Sequence, residues 1–286
     1  MRRWSPPGCG RWPTPRYSVA ITSPPGCTWC YGVINVVGDI TTLWAPEPPL
    51  APRRGVLVSV EGVWGAGKTT VAGRLGQRLA DAGFDATVMH YGPRHGVVGK
   101  LSEYLEASPL RNRSGTGGYA RPHHATVDVL LRWCREAYHY THLYRPALAK
   151  HDVVVLDHGV YSKLAYALTV LAEQHPDRAE PELLEQIRAC VAPWFLHPDQ
   201  AFFLDVPWPL ARERAILRGA GGGNPGSVER LLFLPRFTTA YQQVMAAYPE
   251  RVCRIHVGAR DADSVLAEIE GHLSALLRTS LGAVDG

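Results

Sequence analysis

The chain has 286 residues, 46% of them apolar and 20% charged, the balance of a globular protein with a full core. Its net charge of +4 sits at one end: residues 1–54 hold six arginines against Asp39 and Glu47, and the 24 basic and 24 acidic residues of the remainder cancel. That excludes a broad nucleic-acid-binding surface on the body of the chain, and the absence of an apolar run near ~20 residues excludes a membrane-spanning helix.

Residues 1–54 carry ten of the 23 prolines, mixed with Gly, Ser and Trp and lacking helix or strand periodicity. Such a segment buries too little surface to offset its ordering entropy, so a disordered Pro-rich extension is expected there. "CTWC" at 27–30 has redox or zinc spacing, but no second pair follows to complete a tetrahedral site. The six cysteines read as reduced thiols, and the protein as cytoplasmic.

From residue 55 to about 280, strands and helices alternate. "GVLVSVE" (55–61) is a short β-branched run suited to a strand buried on both faces. Val71, Leu75 and Leu79 recur with helical period, and Gly83 ends that helix. "DATVMHY" (85–91) reads as a second strand, 97–105 as a short helix, and the Gly- and Arg-rich stretch 108–124 as a loop. A long helix spans about 125–149. "HDVVVLD" (151–157) and "QAFFLDV" (200–206) are the third and fourth strands, and 209–219 is helical. "AGGGNPGS" (220–227) then reads as a flexible lid, bounded at about 218–229, followed by a helix to about Tyr248. "RVCRIHV" (251–257) is the fifth strand, and Asp261 or Asp263 caps a last helix. This alternation predicts an α/β three-layer sandwich, a five-stranded parallel sheet with helices on both faces, with ligands beyond the carboxyl ends of the strands. Glu61, Tyr91, Asp157 and Val206 fall at or near those ends.

Between the first strand and its helix, Gly62-Val63-Trp64-Gly65-Ala66-Gly67-Lys68-Thr69 fits G-x-x-x-x-G-K-[ST], the P-loop of nucleoside triphosphatases. Gly62, Gly65, Ala66 and Gly67 let backbone N–H groups converge on phosphate oxygens, and Thr70 opens the helix whose positive end faces them. Lys68 would reach the β- and γ-phosphates, and Thr69 would ligate Mg²⁺. Lysine is scarce here, four against 26 arginines, and one of the four lies in this loop. ATP and Mg²⁺ are the expected ligands.

"VEGVWGAGKTT" resembles the phosphate loop of thymidylate kinases, whose usual form is E-G-x-D-G-x-G-K-[ST]-T. "VVVLDHGVYSKLAYA" (153–167) resembles that family's D-R-[YF]-x-x-S-x-L-A-Y segment, and "HPDQAFFLDVPWPLARERAILRG" (197–219) its fourth strand and arginine-rich helix. "RPAL" (145–148) and "FLPRFTTAY" (233–241) also fall where the family has similar residues. The resemblance covers about 55–278 and implies phosphoryl transfer from ATP to a nucleoside monophosphate such as dTMP, in a homodimer. It implies that Asp157 lies near Mg²⁺ and the acceptor phosphate. Ser162 and Tyr166 would line the acceptor pocket, and Arg94 and Arg135 would meet the acceptor, though an ungapped alignment puts Glu136 where the family has arginine. Arg212, Arg214 and Arg218 would lead into the lid, with Arg214 and Arg218 closing on the transferring group.

Two departures fall on the acceptor side. Trp64 replaces an aspartate that points at the acceptor sugar, and indole offers one donor and no acceptor. His158 replaces an arginine, exchanging a charged fork for a ring that is neutral above its pKa. The stretch after the second strand, "HYGPRHG", holds no carboxylate to deprotonate a sugar hydroxyl, which favours an acceptor that is already anionic. Two alternatives stay open: a deoxynucleoside kinase, and a non-catalytic ATP-binding regulatory protein.

Overall fold

The computed structural model describes residues 52–53, 55–90, 125–220 and 228–281. The expected N-terminal extension, the helix at 97–105, the loop at 108–124, Arg94 and most of the lid lie outside the described residues.

Five strands form one parallel sheet: β1 (Val56–Glu61), β2 (Ala86–Met89), β3 (Val153–Asp157), β4 (Gln200–Asp205) and β5 (Val252–His256), in the order β2-β3-β1-β4-β5. β1 is central. Val56 aligns with Val153 on one side, and Val58 with Gln200 on the other. All six of its residues are buried, as its unbroken apolar run predicted. The period of two divides them: Val56, Val58 and Val60 join the larger core, whereas Leu57 packs with Tyr144, Leu148, Val154 and Leu156 in a smaller one.

The helices are α1 (Lys68–Asp81), α2 (Ala125–His139), α3 (Arg145–Lys150), α4 (Val160–Gln174), α5 (Glu180–Val191), α6 (Trp208–Ala220), α7 (Val228–Ala246) and α8 (Ala262–Leu281). One π-helical turn, Tyr140–Tyr144, joins α2 to α3, so the expected long helix runs on through a wide turn. Asp261 caps α8, accepting the Ser264 N–H at 2.7 Å. α5 is an element the sequence reading lacks. No described helix is long and apolar enough to cross a membrane.

Parallel pairing sends every strand's carboxyl end to the same edge. Glu61, Asp157 and Asp205 therefore end neighbouring strands, and the segment after β1 must turn sharply to enter α1.

Candidate active site

The turn after β1 is built from left-handed backbone at Gly62 (φ 144), Gly65 (φ 84) and Gly67 (φ 95). At Gly65 a side chain has no room, since a Cβ would lie 2.0 Å from the Ala211 carbonyl oxygen. Lys68 folds back over this loop, its Nζ donating to the Val63 carbonyl at 2.8 Å. Burial, reinforced by Arg218 and Lys163 and opposed by Asp157 and Glu61, lowers its ammonium pKa to about 8. A desolvated cation held beside other cations is stabilised by an incoming polyanion.

Thr69, the next residue, donates its hydroxyl to Asp157 Oδ2 at 2.7 Å, and His90 Nδ1 lies 2.9 Å from the same oxygen. The other oxygen, Asp157 Oδ1, is buried with no hydrogen-bond partner among the described residues. Two hard oxygen ligands converge here and one is left unsatisfied. This donor set fits Mg²⁺, which binds through one or two protein oxygens and keeps waters or phosphates as its other ligands.

A cavity of about 240 Å³ opens beside the loop, lined by Gly65, Ala66, Gly67 and Thr70, by Arg214 and Arg218 of α6, and by the β5–α8 turn. Arg214 donates to the Gly258 carbonyl at 2.8 Å. The two arginines thus stand at the wall of the loop's cavity. Arg218 is also close enough to act on the Lys68 charge.

On the other side of Lys68, Glu61 is wholly buried and accepts three hydrogen bonds: from Gly159 N–H (2.9 Å), Ser162 Oγ (2.8 Å) and Tyr241 OH (3.0 Å). The Tyr241 hydroxyl lies equally within reach of Ser162 Oγ, at 2.8 Å, so its single proton is shared between that oxygen and the carboxylate. This knot ties β1 and the loop to α4 and α7. Burial pushes the Glu61 carboxyl above its ordinary 4.5, opposed by the hydrogen bonds from Ser162 and Tyr241 and by the Lys163 charge. A Cβ on Gly159 would sit 2.5 Å from Glu61 Oε1, so glycine is required there.

His158 adopts φ 79, a left-handed conformation that L side chains rarely take. Burial first, then the charges of Lys68, Lys163 and His90, hold its imidazole well below 6.5, so it is neutral at neutral pH. Trp64 packs on Phe237 (centroids 4.9 Å) and Phe233 (5.8 Å), and Phe233 lies 5.9 Å from Tyr166. Tyr166 donates to Asp128 Oδ2 at 2.7 Å, and the Arg132 guanidinium caps its ring at 4.3 Å while pairing with Asp128 at 2.9 Å.

The structure therefore brings together Lys68, Thr69, Asp157, His158 and Ser162, with Trp64 and Tyr166 on one aromatic wall and Arg214 and Arg218 at the cavity. Arg135 is buried on α2. Sequence reasoning missed Asp128, Arg132, His139 and Lys163, and placed Glu61 only at the carboxyl end of a strand. The available signal was a run of charges at helical spacing, 128, 132, 136 and 139, which a solvent-facing helix would also show.

A family model described as thymidylate kinase matches residues 60–269. A thymidylate kinase of Bordetella petrii is 33% identical over 229 residues, covering 78% of this chain and 97% of that protein. One of Xanthomonas euvesicatoria pv. vesicatoria is 32% identical over 227 residues, 79% of this chain and 87% of its own. A probable thymidylate kinase of Halorubrum lacusprofundi is 29% identical over 224 residues, 78% and 99%. The match runs from inside β1 to inside α8 and takes in the phosphate loop, the Asp157 turn and α6: this chain belongs to the thymidylate kinase family of P-loop nucleoside monophosphate kinases.

Proposed function

We propose that residues 55–280 transfer the γ-phosphoryl group of ATP to a nucleoside monophosphate, most plainly dTMP or a related deoxynucleotide, releasing ADP and the nucleoside diphosphate. The observation that carries this reading is the Thr69–Asp157 contact, which joins the phosphate loop to the end of β3 beside a largely buried Lys68. The relatives' names and the family match support ATP as donor and a monophosphate as acceptor.

An oxygen of the acceptor's phosphate attacks the γ-phosphorus, and the bridging oxygen leaves with ADP. The loop amides and Lys68 hold the donor's phosphates and offset charge as it moves to the leaving oxygen. Thr69 and Asp157 would hold Mg²⁺, which when bound neutralises charge on the β- and γ-oxygens. Arg218 adds positive charge from the cavity side. Because the acceptor arrives as an anion, the site needs no general base, in keeping with "YGPRHG" after β2, which has no carboxylate. Trp64, partly exposed and backed by the buried Phe233 and Phe237, offers an apolar ring suited to a nucleobase.

Neutral His158 and Trp64 favour a second reading, an ATP-binding protein without a productive acceptor site. A coupled assay with ATP, Mg²⁺ and a panel of nucleosides and nucleoside monophosphates separates the two. Turnover of a monophosphate, abolished by Lys68→Ala, is the expected result. Turnover of nucleosides alone would move the assignment to a nucleoside kinase, and ATP binding without turnover across the panel would overturn catalysis.

A further inference from the structure

Two side chains from different elements converge on one oxygen of Asp157. The parallel register pairs Met89 with Leu156, so the next residues, His90 and Asp157, stand side by side at the carboxyl edge of the sheet. His90 Nδ1 lies 2.9 Å from Asp157 Oδ2. An ionised carboxylate only accepts hydrogen bonds, so this ring nitrogen is the one that donates. The same oxygen takes the Thr69 hydroxyl at 2.7 Å. Asp157 Oδ1, by contrast, is buried and has no hydrogen-bond partner among the described residues.

The carboxylate is thus held by one oxygen only. The Asp157 side chain is 5% exposed and that of His90 is 52% exposed. The imidazole therefore reaches inward from solvent to an oxygen that Thr69 already satisfies, and does nothing for the oxygen that lacks a partner. Two donors on Oδ2 restrain the carboxyl plane more than Thr69 alone would. A buried acceptor without a partner is costly, and is kept where a ligand is to meet it. Thr69, having given its proton to Oδ2, keeps its own lone pairs for a cation. A hydrogen bond that orients a ligating carboxylate in this way raises the affinity of a metal site without touching the metal.

We infer that His90 is the positioning residue of the Mg²⁺ site: with Thr69 it occupies Asp157 Oδ2, and so reserves Oδ1 for the metal or for a water bound to it. This rests on the reading of Thr69 and Asp157 given above. It assigns a role to the end of β2, which supplies no residue to the phosphate loop or to the Asp157 turn.

The experiment measures, by calorimetry, the affinity for a non-hydrolysable ATP analogue with Mg²⁺ and again in EDTA. Wild type, His90→Leu and His90→Asn are compared, with thermal melts as a check of folding. His90 is half exposed, so both variants are expected to melt close to wild type. Mg²⁺ is expected to tighten analogue binding by wild type. His90→Leu should cut that enhancement on the order of tenfold and leave the affinity in EDTA unchanged. His90→Asn places an amide N–H on Cγ, where the ring carries Nδ1, and should keep most of the enhancement. A His90→Leu protein with the wild-type enhancement would overturn the inference. So would a loss in His90→Asn as large as in His90→Leu, which would mean that the ring serves packing alone, or a loss of equal size with and without metal. A wild type that Mg²⁺ does not help overturns the metal-site reading itself, and with it this inference.

Discussion

Thr69 and Asp157 are 88 residues apart in the chain, yet the threonine hydroxyl donates to the aspartate at 2.7 Å. Parallel pairing of β1 with β3 makes this contact possible, because the two strands end side by side. Asp157→Asn is expected to lower kcat about 10- to 100-fold and to raise the Mg²⁺ concentration needed for half-maximal rate. A magnesium titration of initial rates checks it, and an unchanged magnesium midpoint would remove Asp157 from the metal's surroundings.

Lys68, lowered to about 8, loses its proton within reach of ordinary buffers. Bound ATP, a polyanion, favours the charged form, so ATP binding near pH 8–9 takes up a proton and binding at pH 6 does not. Calorimetry in buffers of different ionisation enthalpy measures this directly. The free protein moves the opposite way in stability: between about 8 and 10.5 the unfolded chain keeps the proton longer, so the Lys68 contribution to stability rises with pH.

The Glu61 carboxyl is raised by burial, so its contribution to stability is complete below 4.5 and is lost as pH rises through the higher folded value. Glu61→Gln is expected to flatten that part of the stability–pH curve. Tyr241→Phe removes the hydroxyl that meets Glu61 and Ser162, at a cost of about 1–3 kcal/mol. Because Glu61 leads directly into the phosphate loop, Tyr241→Phe should also weaken ATP binding, while Thr169→Val, remote from the knot, should not. Chemical denaturation and equilibrium ATP titration test both statements.

At His158 the backbone decides which substitutions survive. His158→Gly should retain stability better than His158→Val by about 2 kcal/mol or more, since a β-branched residue is a genuine outlier at positive φ. Denaturant midpoints of the two variants give the difference, and equal midpoints would mean that the turn relaxes on substitution.

Much of the architecture is legible in the sequence because strand and helix periods are strong where both faces are buried. Val56–Glu61 and Val153–Asp157 show it for strands, and Asp261 at the start of α8 shows it for a cap. The helix Glu180–Val191 is obscured by Pro176, Pro181 and Pro193, which punctuate like a loop, although Pro181 sits in the first turn, where a helix tolerates it. The phosphate loop is legible because its chemistry is local. The contact between α2 and α4 is not, since Tyr166 meets Asp128 across 38 residues and no spacing rule joins two helices. His158 illustrates the same limit: its identity is visible, while its neutrality comes from Lys68 and Lys163 standing beside it in space.

The position of β1 between β3 and β4 has a consequence for how the molecule breathes. Backbone amides of Leu57 to Val60 are sealed by a neighbour on each flank, whereas β2 and β5 each pair on one flank only among the described residues. Deuterium should therefore enter β2 and β5 through partial opening, and enter the β1 root of the phosphate loop only when the whole domain comes apart.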